Sequence, residues 1–261
     1  MNNVNKTLYI PFYGKALVSK KGIILNDKKA EEIWEEVKFP LKGRSKSKWL
    51  AYYMGMRAAV FDNWVQERLK AYPNCVVLHL GCGLDSRVQR VGKNAKRWFD
   101  VDFPAVIEER MRYYQQTESY IMLAGDIKDC EFINVLPHAE CVIVVLEGVS
   151  MYLTNQELKN VLLKLSERFC KLCVLVDCYT PFAAKMSKIK NPIKEVGVTK
   201  VYGVENPIVI ENDKGLRFIK EHDMTPKVLI NQLTGFEKFI FKHLYAGGVS
   251  KKLYKTYEYE K

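Results

Sequence analysis

Short unbroken apolar runs alternate along this chain with longer stretches in which apolar residues recur every three or four positions. The first kind predicts strands buried on both faces of a parallel sheet, the second amphipathic helices. Cys75–Leu80, Tyr120–Ala124, Glu140–Leu146 and Cys170–Val176 are of the first kind, and Lys96–Val101 is a more mixed strand beside them. Glu140–Leu146 (E-C-V-I-V-V-L) is the most apolar and predicts the central strand. Between the strands, Leu84–Val91 reads as a helix, and another starts at Phe103-Pro104, with Pro104 suited to a first helical turn. A third is headed by Thr154 and Glu157 as a capping box, with Leu158, Val161, Leu162 and Leu165 as its buried stripe.

The flanks extend the pattern. Tyr13–Ser19 and Asp27–Val37 read as helices, the second with Ile33, Trp34 and Val37 on one side and Pro40 as its stop. Ser47–Tyr72 is one long amphipathic helix or a pair, offering Leu50, Tyr53, Val60, Trp64, Val65 and Leu69 to a sheet. Past the fifth strand, Pro181–Val204 is polar, Glu211–His222 reads as helix, and Lys227–Gln232 and Leu253–Glu260 read as strands around a helix at Phe236–Leu244. Strands alternating with helices predict an α/β fold with one doubly wound, mostly parallel, seven-stranded sheet. A single domain over 1–261 follows, with residues 1–72 as a helical cover and 181–217 as a small variable lobe on the substrate side.

The chemistry sits where strands end. Gly81-Cys82-Gly83 follows the first strand, and the second ends on Asp100 and Asp102, about 20 residues past Gly81. Glycines there remove Cβ atoms that would hold a ligand off the backbone, and an acid at that distance can accept hydrogen bonds from both ribose hydroxyls. Ser86 stands where a dinucleotide fingerprint has its third glycine, so a nucleoside without a pyrophosphate fits better, and S-adenosyl-L-methionine is such a ligand. Gly125-Asp126 closes the third strand, either to take an adenine amino group or as an ordinary turn. Glu147 comes directly off the central strand, where open α/β sheets bind ligands. Arg57 lies among Met56, Ala58, Ala59 and Val60, either reaching out to water or buried to meet a carboxylate.

Composition narrows the class. A hydrophobic content of 48% can fill a large core, and no apolar run approaches the roughly 20 residues of a membrane span. The N-terminus lacks the apolar stretch of a secretion signal, and the seven cysteines, scattered through strands, make no disulfide framework. Cys170-Lys-Leu-Cys173 has no second pair to make a zinc site. The expectation is a cytoplasmic protein with reduced thiols and no metal. The net charge of +11 raises the question of nucleic acid, but the lysines are dispersed and read as a solvated surface.

The chain resembles the leucine carboxyl methyltransferases and the tetracenomycin-type polyketide O-methyltransferases, which are class I S-adenosylmethionine-dependent enzymes. The resemblance runs in order through Lys15-Ala16 to Asp27 and Ala30, R-A-A-V-F-D (57–62), L-G-C-G-L-D-S-R (80–87), D-V-D-F-P (100–104), Gly125-Asp126-Ile127 and L-E-G-V-S-M-Y-L (146–153), over roughly residues 10–180. It implies a Rossmann-like methyltransferase sheet. It implies further that Arg57 pairs with the methionine carboxylate, and that Gly81, Cys82 and Gly83 let the backbone approach the cofactor. Asp102 would take the ribose, because the family's E-x-D-x-P pattern puts its ligand acid there, with Asp100 as the fallback. Gly125, Asp126 and Ile127 would hold the adenine edge and Glu147 the methionine amino group. Lys15 falls near a basic position of the family, in a register too loose to use.

Methyl transfer needs an acceptor oxygen in line with the S–CH₃ bond, so positioning supplies much of the acceleration. A carboxylate acceptor needs no general base, whereas a hydroxyl can need one. None of the histidines, His79, His138, His222 and His243, has an evident partner, and His79 reads as a core residue. Tyr152, just past Glu147, is the candidate for orienting the acceptor, with a plain wall residue as the alternative. Lys185, Lys188, Lys190 and Lys194 in the polar lobe could hold an acidic one. The favoured reading is an O-methyltransferase for a small-molecule, polyketide-like or carboxylate acceptor. An NAD-type oxidoreductase and a basic RNA-binding protein or RNA methyltransferase are the rivals.

Overall fold

The computed structural model describes residues 6–187, 200–248 and 252–261. Three helices come first: α1 (Tyr9–Lys20), α2 (Lys28–Val37) and α3 (Lys48–Ala71). The stretch over 47–72 is thus one helix. Asp27 caps α2 by accepting the Ala30 N–H at 3.0 Å, the role its short acidic side chain suits. The sheet then builds through β1 (Val76–Leu80), α4 (Arg87–Val91), β2 (Arg97–Asp102), α5 (Pro104–Met111), β3 (Tyr120–Ala124), β4 (Cys141–Leu146), α6 (Asn155–Arg168) and β5 (Lys171–Tyr179). The capping box of Thr154 and Glu157 heads α6 as expected. After β5 come α7 (Pro181–Ser187), β6 (Arg217–His222), α8 (Lys227–Ile230), α9 (Gly235–Ile240) and β7 (Tyr254–Glu260).

The sheet has seven strands in the order β3-β2-β1-β4-β5-β7-β6. β1 to β5 pair in parallel, and β7 runs antiparallel to both β5 and β6. Period-two alternation splits the core. Val76, Leu78 and Leu80 of β1 pack with Leu158, Val161, Leu162 and Leu165 of α6 on one face. Val77 of β1 packs with Phe12, Ile33, Phe61 and Trp64 of the N-terminal helices on the other. The chain order reverses between β1 and β4, which opens a crevice at the strands' carboxyl ends.

Three expectations change. The helix expected over Leu84–Val91 is confined to Arg87–Val91. Gly83 turns left-handed at φ +54°, and the Asp85 carboxylate takes the Arg87 N–H at 3.0 Å, so the first turn is spent on the loop. The helix expected over Glu211–His222 is strand β6. There Phe218 packs edge-on against Tyr257 and Tyr259 and covers what would otherwise be the open edge of β7. The strand expected over Lys227–Gln232 is helix α8, its first turn set by Pro226. The sheet keeps seven strands, with a different sixth. Of the lobe lysines, Lys188, Lys190 and Lys194 lie outside the described residues.

Candidate active site

The carboxyl ends of β1 to β5, roofed by α1 and α3, enclose a cavity of ≈ 380 Å³. Ten residues named from the sequence line it: Arg57, Gly81, Cys82, Gly83, Asp102, Gly125, Asp126, Ile127, Glu147 and Tyr152; Asp100 and Lys185 do not. Gly81 and Gly83 have φ of +68° and +54°, angles that side chains rarely tolerate. A Cβ on Gly81 would also come within 2.2 Å of Val149 Cγ2. The glycine is therefore required by the packing of the β4 loop on the β1 turn. At Gly125 nothing lies within 4 Å of the Cβ position, so that edge is open.

Asp100 and Asp102 part ways. The Asp100 carboxylate is fully buried, taking Arg110 Nη2, Tyr120 OH at 2.7 Å and Trp98 Nε1 at 2.8 Å. Arg110 also donates to the Gly83 carbonyl at 3.0 Å, which ties the glycine turn to β2. Asp100 thus has no capacity left for a ligand, and the fallback is removed. Asp102 stands at the rim, half-buried, accepting the Gly83 N–H at 2.8 Å and the Phe103 N–H at 2.7 Å. Burial outweighs these bonds and pushes its carboxyl up to about 6.

At the other end of the cavity the charges interlock. Arg57 is buried, so its open alternative resolves toward a paired guanidinium. Its Nε donates to Glu147 Oε1 at 3.0 Å, and its Nη1 to Asp177 Oδ2 at 3.1 Å and to Tyr254 OH at 2.9 Å. Glu147 also holds Arg87 Nη2 and lies 4.0 Å from Lys15 Nζ. Burial alone would raise its carboxyl, but Arg87, Lys15 and Arg57 hold it at about 2. Lys15 pairs with Asp85 at 2.8 Å, Arg87 with Asp62 at 2.7 Å, and Arg90 with Asp62, Asp85 and Asp27. Lys15, Arg57, Arg87 and Arg90 thus face the carboxyl groups of Asp27, Asp62, Asp85, Glu147 and Asp177, and burial raises that of Asp177.

Beyond Arg57 the wall changes character. Leu50, Tyr53 and Met54 of α3, Met151 and Tyr152 after β4, Tyr179 of β5 and Tyr254 of β7 line it. Burial raises the phenols of Tyr53 and Tyr152, so both stay protonated at neutral pH. His79 also borders the cavity, but burial lowers its ring and keeps it neutral. Its Nε2 is 3.3 Å from Arg87 Nη1 and its Nδ1 3.3 Å from Asp100 Oδ1, which assigns the proton to Nδ1 and bears out a core histidine. Burial likewise keeps the Cys82 thiol protonated. Among the described residues no cluster suits a metal ion, the cysteines are free thiols, and no helix is long and apolar enough to cross a membrane.

Several site residues escaped the sequence reading. Asp85, Asp177, Tyr179 and Tyr254 carried no spacing signal of their own. Lys15 was found but not placed, and the tertiary structure fixes it against Asp85 and Glu147. Asp85 and Arg87 did stand within the G-C-G-L-D-S-R run, and that adjacency was the available clue.

A parallel sheet with a glycine turn after β1, an acid ending β2 and an acid following β4 has the layout of a nucleoside-binding α/β site. The leucine carboxyl methyltransferase family model matches residues 3–166, and the chain belongs to that family of S-adenosyl-L-methionine-dependent methyltransferases. It is 27% identical over 243 residues to the tetracenomycin polyketide synthesis O-methyltransferase TcmP of Streptomyces glaucescens, covering 92% of this chain and 90% of that one. It is 24% identical over 186 residues to the S-adenosyl-L-methionine-dependent methyltransferase dpfgK of Gibberella zeae, covering 65% of this chain and 62% of the relative. In fold it matches the Synechocystis magnesium protoporphyrin IX methyltransferase solved with bound S-adenosylhomocysteine. The TM-score is 0.52 at 12% identity, over 95% of this chain and 99% of that one. The hydride-transfer reading is set aside, since the family is one of methyltransferases.

Proposed function

We propose that this protein methylates an oxygen of a small-molecule acceptor, a polyketide-like compound or another carboxylate-bearing one, with S-adenosyl-L-methionine held along the rim. The observation that carries the reading is the placement of opposite charges along one cavity, with Glu147 and Arg57 at one end and Asp102 on the rim at the other. A methionyl tail carries an ammonium and a carboxylate, and Glu147 and Arg57 offer a partner of opposite charge to each. In this reading Glu147 takes the ammonium and Arg57 the carboxylate. Gly81, Cys82 and Gly83 let the tail lie against the backbone. Asp102 takes the ribose hydroxyls, while Gly125, Asp126 and Ile127 border the adenine. The bound cofactor would supply a methyl group made electrophilic by its sulfonium.

The chain's own residues then have one task, to bring an oxygen into line. Tyr152, protonated and flanked by Met151 and Tyr179, is suited to donate a hydrogen bond that orients the acceptor. No described residue lining the cavity is available as a base. The carboxylates are engaged, burial keeps Tyr53, Tyr152 and Tyr254 protonated, and His79 Nε2 faces a guanidinium. That favours an acceptor already anionic at neutral pH, a carboxylate or an acidic phenol. The lobe supports an acceptor side here, since the Tyr202 N–H bonds Met151 O and the Val204 N–H bonds Tyr179 O, both at 2.8 Å. Lys185 on α7 stays a candidate for steering an acidic acceptor.

The test is a methyl-donor assay across aromatic carboxylic acids, phenols and peptide C-termini, scored for base-labile methyl esters. Base-labile product from carboxylic acids is expected. Transfer only to unactivated alcohols would overturn the preference for an anionic oxygen.

A further inference from the structure

We propose that Asp177 and Tyr254 are positioning residues for the donor-binding guanidinium: together they fix the plane of Arg57, and Tyr254 carries that restraint into the acceptor chamber. The inference rests on the reading of Arg57 as the carboxylate partner. Asp177 lies two residues before the end of β5 and Tyr254 opens β7, neighbouring strands that meet at the Tyr179–Tyr254 pair. The Tyr254 OH donates to Asp177 Oδ2 at 2.8 Å and receives Arg57 Nη1 at 2.9 Å, while Nη1 reaches the same Oδ2 at 3.1 Å. The three groups form a closed triangle.

On the opposite edge, Arg57 Nε and Nη2 each lie 3.0 Å from Glu147 Oε1. A guanidinium has five N–H hydrogens in one plane. Here they are gripped from both sides by acids on adjacent strands, so the plane cannot rotate. With Nε and Nη1 engaged and Nη2 making one contact to Glu147, Nη2 keeps a hydrogen for a ligand carboxylate. Beside it lies Gly148 at φ +75°, where a Cβ would come within 3.3 Å of Nη1 and Nη2. Asp177 Oδ1 meanwhile accepts the Gly148 N–H at 2.7 Å, so one carboxylate sets both the guanidinium and the glycine that gives it room.

Desolvating a second carboxylate is costly where an apolar side chain would pack as well. Glu147 is shared between Arg57 and Arg87, and Asp177 gives Arg57 a second partner that fixes its direction. Tyr254 extends the effect outward. Its ring packs edge-on at 5.0 Å from Tyr179 and 6.3 Å from Tyr53, both of which line the acceptor wall. Its hydroxyl serves the donor end and its ring the acceptor end.

The experiment measures calorimetric affinity for two probes, S-adenosylhomocysteine, which carries the amino-acid tail, and 5′-methylthioadenosine, which lacks it. Tyr254→Phe keeps the ring and removes the hydroxyl, Asp177→Asn removes the charge, and Arg57→Lys is the reference. The expected result is about a tenfold loss of S-adenosylhomocysteine affinity in Tyr254→Phe and Asp177→Asn, the scale of one hydrogen bond to a charged group. Methylthioadenosine affinity should stay at the wild-type value. Equal weakening of both probes would mean a general packing role and overturn the proposal. Wild-type S-adenosylhomocysteine affinity in Tyr254→Phe, with Arg57→Lys impaired, would overturn it while leaving the Arg57 reading intact. Unchanged affinity in Arg57→Lys would remove that reading and this inference with it. Should Asp177→Asn not fold, Tyr254→Phe decides alone.

Discussion

The two ends of the cavity are built on opposite principles. At the donor end, Lys15, Arg57 and Arg87 are locked against Asp62, Asp85, Glu147 and Asp177 in a dry network where each charge has named partners. At the acceptor end, Leu50, Tyr53, Met54, Met151, Tyr152, Tyr179 and Tyr254 meet mostly through side-chain surface. A buried ion that loses its partner is strongly destabilising, so the first arrangement tolerates little change. Aromatic and methionine walls can exchange members at constant volume for a small cost. On the proposed reading, one cavity joins a fixed grip on the donor to a wall that can be rebuilt around a different acceptor.

The sharpest way to break the contrast is Glu147→Gln. It leaves Arg57 and Arg87 partly unpaired in a dry site and should cost about 3–5 kcal/mol in urea denaturation. A loss below about 1 kcal/mol would mean that the donor end is no more interlocked than a surface. Next is Asp102→Asn at the rim, expected to weaken S-adenosylhomocysteine binding about tenfold or more, since a charged acceptor of two hydroxyls is lost. Burial sets the Asp102 carboxyl at about 6 in the free protein, and a ligand donating hydrogen bonds favours its ionised form. Wild-type affinity should therefore fall as pH drops through about 6, level off above 7, and lose this step in Asp102→Asn. The sign for folding is opposite. The folded carboxyl holds its proton above the unfolded value of 3.8, so ionising Asp102 lowers stability as pH rises from 3.8 to about 6. A pH-independent wild-type affinity between 5 and 7.5 would contradict its place in the site.

The smallest effect is expected at the other end. Tyr152→Phe should raise the acceptor KM a few-fold, the scale of one neutral hydrogen bond, with donor affinity unchanged. A matching loss of donor affinity would show that the two ends are not separable at this residue.

Much of this was legible in the residue pattern. Four of the five parallel strands announced themselves as apolar runs, because a strand covered on both faces must be apolar throughout, and β2 followed from its place between them. The glycine turn, Asp102 and Glu147 followed from their positions at strand ends. Apart from the shortened helix at Arg87–Val91, the errors lie in the C-terminal third. Arg217–His222 has no dominant period, and its state was decided by the open edge of β7. Lys227–Ile230 follows a proline, and its short apolar run fitted helix and strand alike.

What the sequence determined by itself was the parallel half of the sheet and the strand-end residues that line the cavity, since burial and turn geometry act on neighbouring positions and leave a local trace. What only the tertiary structure decided was the pairing. Asp100 was taken into the core by Arg110 while Asp102 stayed at the rim, Lys15 was brought to Asp85, and Asp177 and Tyr254 were brought to Arg57. Partners that meet across a fold are held by distance and desolvation in three dimensions, and those leave no period along the chain.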